Sequence, residues 1–227
     1  MPYLRRDDAV FVLNLGAPEQ ADTENRLSPE WIAAVDARLD EVEASSGPAA
    51  LVTTGTGKFY SNGFEPERFL GADVAEYLLS GQKLFARILT LSVPTVAALQ
   101  GHTFAAGAIF ALAHDARVMR ADRGYFCLPE INLGFALPDG LVIPGGMLGL
   151  LQARLPKQTL HEATLTGRRY GGTDALAAGI VDATAAESDV LPTAIARAAA
   201  VANTRGPALT AMKSWLYRDV LEGLSRI

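Results

Sequence analysis

The chain has 227 residues and a formal net charge of −5, and 49% of its residues are hydrophobic. This length suits one large domain or two small ones, with enough apolar residues for a substantial core. The acidic balance provides no basic surface for nucleic acid, and no apolar run reaches the roughly 20 residues that a membrane span needs. We therefore expect neither nucleic acid nor a membrane as a partner.

Cysteine and histidine are scarce in this sequence. Cys127 is the only cysteine, so an internal disulfide is excluded. The three histidines, His102, His114 and His161, lack the spacing and the cysteine partners of a zinc site, and we expect no metal. A single cysteine and the lack of an N-terminal signal peptide are typical of a reducing compartment, which predicts a cytoplasmic location.

Strands and helices alternate along the first 130 residues. Short apolar runs rich in β-branched residues predict strands at 9–15, 49–55 and 95–101, and two further short strands are expected at 116–121 and 125–128. Helical spacing of apolar residues predicts helices at 28–45, 73–91 and 105–115. The first of these helices has Ser28 as its predicted N-cap and Pro29 at its first position. From Pro144 onwards the pattern is mostly helical.

This alternation predicts an α/β fold with parallel strands. Because no charged run or Pro/Ser-rich linker interrupts the chain, we interpret residues 1–227 as a single domain. It would consist of an α/β core up to about residue 143 and a helical C-terminal part over about 144–227.

One stretch, GHTFAAGAIFALAHD at 101–115, is rich in small residues and begins where a predicted strand ends. Glycine and alanine allow a helix to begin directly against a sheet, and they leave the N–H groups of its first turn open to a ligand. The partial positive charge at a helix N-terminus would stabilise a carbonyl oxygen that gains negative charge. Tight packing and ligand binding both explain this stretch, and packing is the simpler interpretation of it alone.

A second glycine-rich turn, TGTGKFYSNGFE at 54–65, also follows a predicted strand. Its glycines permit a tight loop, and it lacks the spacing of a phosphate-binding loop. Two such turns after two parallel strands would lie side by side at the carboxyl ends of those strands, where ligands commonly bind. One N–H group from each turn would then form an oxyanion hole.

Glu130 lies in YFCLPEINLGFALPDG at 125–140, after Pro129 and among apolar residues. Burial raises the pKa of a carboxyl group, which suits it for proton transfer near neutral pH. A surface glutamate, or one paired with an arginine, is the alternative that this segment alone leaves open. Asp139 in the same segment is either a turn residue or a second acid in the site.

Together, in this order along the chain, these segments resemble the crotonase, or enoyl-CoA hydratase/isomerase, family. The resemblance begins at ENRLSPEW, runs through the two glycine-rich turns and the Glu130 segment, and ends at GGTDALAAGIVD. It implies a spiral of repeated β-β-α turns, a homotrimer or a hexamer of two trimers, and an acyl-CoA thioester as substrate. It implies no separate cofactor, because coenzyme A is part of the substrate.

By position, the resemblance places one oxyanion-hole N–H at Phe64, directly after Gly63, and the other at Ala106. Family members usually have the middle of three glycines at the second position, and alanine there keeps the N–H but needs a negative φ. The resemblance also implies that Gly63 and Gly107 contact the coenzyme A thioester.

One departure from the family pattern bears on the chemistry. Hydratases of the family have two glutamates that hold a water molecule, and the first of these positions is Ile109 here, while the second is Glu130. One carboxylate can move a proton but cannot easily add water, and the family's Δ3,Δ2-enoyl-CoA isomerases have this pattern. The resemblance implies an isomerase of unsaturated fatty-acid metabolism with Glu130 as base. Alternatives are hydration, thioester hydrolysis, C–C cleavage, and a non-catalytic acyl-CoA-binding protein.

Two basic residues are candidates for contact with the coenzyme A phosphates: Arg26, in the ENRL segment, and Lys213, on the predicted C-terminal helix. Solvated side chains explain both equally well. The C-terminal helix also has an apolar stripe, formed by Met212, Trp215, Leu216, Val220 and Leu224. Such a stripe either folds back on its own chain or docks on a neighbouring subunit, and the resemblance favours the neighbour.

Overall fold

A computed structural model of the chain describes residues 1–20, 22–134 and 143–226, so Asp139 lies outside the described residues. The strands are β1 (Tyr3–Asp7), β2 (Val10–Asn14), β3 (Ala50–Thr54), β4 (Phe59–Ser61), β5 (Thr95–Leu99), β6 (His102–Phe104), β7 (Ala116–Arg120), β8 (Phe126–Cys127) and β9 (Ala183–Ala185). The helices are α1 (Pro29–Ala44), α2 (Val74–Thr90), α3 (Ala106–Leu112), α4 (Gly145–Arg154), α5 (Lys157–Thr166), α6 (Gly172–Ala177), α7 (Val190–Ala199), α8 (Pro207–Leu216) and α9 (Arg218–Leu224). No helix in this described part is long and apolar enough to cross a membrane.

The strands form two sheets. The larger has the order β1-β2-β3-β5-β7-β9, in which β1 is antiparallel to β2 and the other neighbours are parallel. The smaller has the order β4-β6-β8 and is parallel throughout. Along the chain, β3-β4-α2 is followed by β5-β6-α3 and then by β7-β8, so each turn adds one strand to each sheet. The expected α/β class and the spiral of β-β-α turns are confirmed.

Both faces of the larger sheet are covered, which explains why its central strands are continuous apolar runs rather than alternating ones. All residues of β2, β3 and β5 are buried. One face packs against α7, and the opposite face packs against α1, α2 and α3 in the main core. The local signals of α1 are confirmed as well, because Ser28 Oγ accepts the Trp31 N–H at 3.1 Å and Pro29 is the first helical residue.

The C-terminal part is mostly helical, as predicted, but it also returns to the larger sheet. The short strand β9 pairs with β7, and α7 then covers the sheet. Further along, α9 packs closely against α4, where a Cβ built on Gly146 would lie within 2.5 Å of the Gly223 carbonyl carbon. These contacts place α4 beside the ends of the smaller sheet, where the cavity described below opens.

Candidate active site

A cavity of about 350 Å³ opens where the smaller sheet ends. Most of its wall is apolar, and the polar exceptions are few. The apolar side chains include those of Phe69, Leu78, Phe104, Ile109, Leu133 and Met147. The polar and ionisable ones are Arg26, Asn62, Cys127, Glu130 and Arg169. A concave apolar site with a few converging polar groups is typical of a small-molecule binding site.

The three segments singled out in the sequence meet here because their strands are neighbours in the smaller sheet. Chain segments leave the carboxyl ends of β4, β6 and β8 toward Phe64, Ala106 and Glu130, respectively. This corrects one expectation. The two glycine-rich segments do follow β3 and β5 of the larger sheet, but they are not simple turns: each contains a three-residue strand of the smaller sheet, β4 or β6, before its site residue.

The two candidate oxyanion-hole segments are in contact with each other. Gly63 has a φ of +78°, and a Cβ built on it would lie 3.0 Å from the Ala106 nitrogen. Phe64 and Ala106 both line the cavity, and neither N–H donates a hydrogen bond to another described residue. Two free N–H groups from adjacent segments that line one cavity match the requirement for binding one carbonyl oxygen.

The positive φ that opens α3 falls on Ala105, not on Ala106. Ala105 has φ 52° and ψ −129°, a conformation that side chains other than glycine rarely adopt, whereas Ala106 keeps the negative φ expected of it. Strain of this kind typically costs about 1–3 kcal/mol and is concentrated at functional sites. The strained residue stands directly before Ala106, the first residue of α3, which lines the cavity.

Gly107 packs closely against β4. A Cβ built on it would lie 2.6 Å from the Ser61 carbonyl oxygen and 2.7 Å from the Ser61 Cβ. Neither Gly63 nor Gly107 is among the described residues that line the cavity. The small-residue stretch therefore has both explanations at once, since Gly107 allows α3 to lie against β4 while Ala106 leaves its N–H open.

Glu130 begins a short 3-10 helix, Glu130–Asn132, directly after β8 and Pro129. Its Oε2 atom is buried and has no hydrogen-bond partner among the residues that the structure describes. Burial raises the pKa of Glu130 to about 7, and hydrogen bonding to its own backbone opposes this rise only in part. Because this oxygen is buried and no described arginine pairs with Glu130, neither of the two alternatives from the sequence, a surface position and an arginine partner, describes this carboxyl group.

Among the described residues that line the cavity, Glu130 is the sole carboxylic acid. Ile109, on the first turns of α3, is buried and lines the same cavity. An apolar side chain therefore stands where the resemblance places the first of the two hydratase glutamates, the second being Glu130. Among the described residues, no three acidic, histidine or cysteine side chains come together as metal ligands.

Arg26 lies at the cavity, as expected, but its guanidinium is already engaged. It pairs with Glu24 at 2.5 Å and donates a hydrogen bond to the Phe64 carbonyl oxygen at 2.9 Å. The neighbouring Asn25 uses its side-chain amide to donate to the carbonyl oxygens of Phe59 and Tyr60. The ENRL segment thus secures the chain that leads to Phe64, a role that the sequence pattern did not indicate.

Lys213 is placed away from the cavity. Its ammonium group is buried, lies 2.7 Å from Asp115 Oδ2, and donates to the Val93 carbonyl oxygen at 3.2 Å. Burial lowers the pKa of Lys213, and the Asp115 carboxylate acts in the opposite direction. This geometry assigns Lys213 a structural role in place of the expected coenzyme A contact.

Some cavity residues had no motif to indicate them. Arg169 follows α5, and its guanidinium carbon lies 5.7 Å from the centroid of the Phe104 ring. Leu78 and Met147 are contributed by α2 and α4. Helical spacing predicts that such side chains are buried, but it does not distinguish a core from a cavity wall.

A spiral of β-β-α turns with a cavity at the ends of its smaller sheet is the crotonase fold. The sequence matches the family model described as enoyl-CoA hydratase/isomerase over residues 5–226, and the chain belongs to this family. It is 34% identical to enoyl-CoA delta isomerase 3 of Arabidopsis thaliana over 83% of this chain and 78% of the relative. It is 35% identical to a putative enoyl-CoA hydratase of Thermus thermophilus over 91% of this chain and 80% of the relative.

Solved structures agree with this assignment. The apo structure of an enoyl-CoA isomerase from Mycobacterium tuberculosis aligns with a TM-score of 0.87 and 27% identity. The alignment covers 98% of this chain and 93% of that structure. Relatives with both isomerase and hydratase names therefore share the fold, so the choice between these reactions depends on the residues in the cavity.

Proposed function

We propose that this protein is a Δ3,Δ2-enoyl-CoA isomerase that acts on unsaturated fatty acyl-CoA thioesters. The observation that supports this most directly is that Glu130 is the single carboxylic acid among the described cavity residues, while Ile109, where the resemblance places the other hydratase glutamate, lines the same cavity. Water addition needs a water molecule held between two carboxylates. A double-bond shift needs one base and stabilisation of an enolate, and the cavity offers a candidate for each.

The thioester carbonyl oxygen would accept hydrogen bonds from the N–H groups of Phe64 and Ala106. Glu130 in its carboxylate form removes a proton from C2, and the electron pair of that C–H bond is delocalised onto the thioester oxygen in one direction and, through the C3–C4 double bond, onto C4 in the other, as a dienolate. The same carboxyl group returns the proton to C4, which leaves the double bond between C2 and C3. Each oxyanion-hole donor contributes about 3–4 kcal/mol in comparable enzymes, and a positioned base contributes about 10²–10⁴-fold.

This mechanism requires no separate cofactor. Coenzyme A is part of the substrate, and its binding energy holds the reacting carbons against Glu130. The raised pKa of Glu130 suits the same group to both steps, since a carboxyl group with a pKa of about 7 accepts and returns a proton readily near neutral pH.

The test offers 3-enoyl-CoA and 2-enoyl-CoA separately and follows the ultraviolet absorbance of the conjugated thioester. We expect absorbance to rise with 3-enoyl-CoA and to stay nearly constant with 2-enoyl-CoA. E130Q keeps the shape of the side chain and should lower isomerase activity by at least about 10²-fold. E76Q, at an exposed glutamate on α2, is the matched control and should behave as the wild type.

Rapid loss of absorbance with 2-enoyl-CoA would identify a hydratase and contradict the proposal. Silence on both substrates would indicate a non-catalytic acyl-CoA-binding protein. Near-normal activity in E130Q would exclude Glu130 as the base and direct attention to Asp139.

A further inference from the structure

Gly81 stands in the middle of α2, where glycine is unfavourable compared with alanine. A Cβ built on Gly81 would lie 2.6 Å from Cε1 of the Phe64 ring, and closer still to its Cζ. The helix therefore has a notch at this position, and the far edge of the Phe64 ring fills it. This contact joins α2 to the residue whose N–H faces the cavity.

The Phe64 ring has little freedom to move away from this notch. Its centroid lies 5.0 Å from that of Tyr77, 6.1 Å from that of Phe69 and 6.5 Å from that of Phe85. The first two pairs are edge-on contacts, and the Phe64 side chain is buried. A group added at Gly81 would thus push the ring against neighbours that enclose it, or push the Phe64 backbone toward the cavity.

Tyr77 lies one turn before Gly81 on the same face of α2 and holds the next peptide. Its hydroxyl accepts the Glu65 N–H at 2.9 Å and donates to the Leu27 carbonyl oxygen at 2.8 Å. On the other side, Arg26 donates to the Phe64 carbonyl oxygen. The peptide between Phe64 and Glu65 is therefore hydrogen-bonded at both its C=O and its N–H. The Phe64 ring packs into the notch of α2 at Gly81.

We propose that the Tyr77–Gly81 face of α2 is a positioning element that sets the place of the Phe64 N–H in the oxyanion hole. Neither residue touches the reacting atoms, and the inference rests on the proposed isomerase function. Displacement of a catalytic group by about 1 Å through a distant mutation costs up to about 10²-fold in rate. The notch thus explains why a helix tolerates glycine at this position.

The test is G81A. Because the displaced group is the N–H that binds the developing oxyanion, kcat for isomerisation should fall by about tenfold or more while KM changes little. G149A is the matched control. Gly149 is also inside a helix, α4, but a Cβ built there meets nothing within 4 Å. G149A should keep the wild-type kcat.

Two further variants separate positioning from a general loss of structure. F64L keeps the N–H but lacks the ring atoms that the Gly81 Cβ would meet, so G81A/F64L should regain about tenfold or more in kcat over G81A. Y77F removes only the hydroxyl and should lower kcat even if G81A fails to fold. Thermal unfolding by circular dichroism reports whether each variant is folded.

A wild-type kcat in folded G81A would overturn this inference and leave the proposed function standing. So would a change confined to KM, because it would mean that the ring moved into the cavity while the N–H stayed in place. If G81A does not fold, an unchanged kcat in Y77F overturns it. If the wild type hydrates 2-enoyl-CoA, the isomerase proposal fails, and the same kcat comparisons test the positioning role in the hydration reaction. A wild type that is inactive on both substrates overturns both the proposed function and the positioning role.

Discussion

At the scale of single residues, Glu130 lies in surroundings that disfavour its charged form. An ionised carboxylate in this place loses hydration, and its Oε2 atom gains no hydrogen bond in return. The folded protein therefore holds the proton of Glu130 more tightly than the unfolded chain does. A general base near neutral pH needs this property. Its cost is a lower free energy of unfolding when Glu130 is ionised.

The pH dependence follows from the sign of this shift. The pKa of Glu130 rises from 4.5 to about 7 on folding, so stability falls as the pH rises through this window. E130Q removes the ionisation. It should raise the free energy of unfolding relative to the wild type by about 3 kcal/mol at pH 8 and by less than about 1 kcal/mol at pH 5. Urea unfolding at the two pH values measures this.

The same group predicts the activity profile. Because Glu130 must be ionised to remove a proton, kcat/KM of the wild type should rise with pH through about 7 and level off above it. A stability difference between E130Q and the wild type that is equal at pH 5 and pH 8 would show that Glu130 does not titrate in this window.

At the scale of elements, the Lys213–Asp115 pair ties α8 to the larger sheet. Asp115 Oδ2 accepts the Thr95 N–H at 2.8 Å as well as the Lys213 ammonium, and Thr95 Oγ1 accepts the Asp115 N–H in return. Lys213 adds a bond to the Val93 carbonyl oxygen in the connection between α2 and β5. One buried ammonium group thus holds three segments of the chain together.

K213M separates this structural role from a contact with coenzyme A. Removing one partner of a buried ion pair is costly, and we expect the free energy of unfolding to fall by about 2–4 kcal/mol, as measured by urea denaturation. The KM for the enoyl-CoA substrate should stay unchanged, because Lys213 is not at the cavity. A raised KM with unchanged stability would restore the coenzyme A contact expected from the sequence. K83M, on α2, provides the lysine-to-methionine control for the substitution itself.

At the scale of the whole molecule, the C-terminal stripe is divided. Leu224 is buried and Val220 packs partly against the main core, whereas Met212, Trp215 and Leu216 on α8 are 71%, 74% and 73% exposed. An exposed apolar cluster of this kind on a protein surface commonly marks a contact between subunits. The residues that the structure describes do not cover this cluster, which leaves the docking alternative from the sequence open.

We predict that the protein assembles through this part of α8, as a trimer or a hexamer of two trimers. W215E would place a charge in the contact and should lower the mass measured by light scattering at micromolar concentration. L70E is the control, since Leu70 is 94% exposed and lies on a different segment. A monomer mass for the wild type, or an unchanged mass for W215E, would contradict the prediction.

The sequence by itself determined strands β2, β3, β5 and β7 of the larger sheet and helices α1, α2 and α3, whereas β1 and β9 at its edges were not predicted. Strands β2, β3 and β5 are apolar runs buried on both faces. The cap and the apolar spacing of α1 are features of its own local sequence. The sequence also indicated the segments that contain Phe64, Ala106 and Glu130, because small residues after strands and an acid among apolar residues are local patterns.

Only the tertiary structure decided how these segments meet. Strands β4 and β6 have three residues each, too few for a periodic signal, and their pairing depends on partners distant in the chain. The strained φ of Ala105, the ion pair of the buried Lys213 and the fit of Phe64 against Gly81 depend on the same distant contacts. Local patterns record what a segment prefers, whereas strain, ion pairing and close approach are properties of neighbours that only folding brings together.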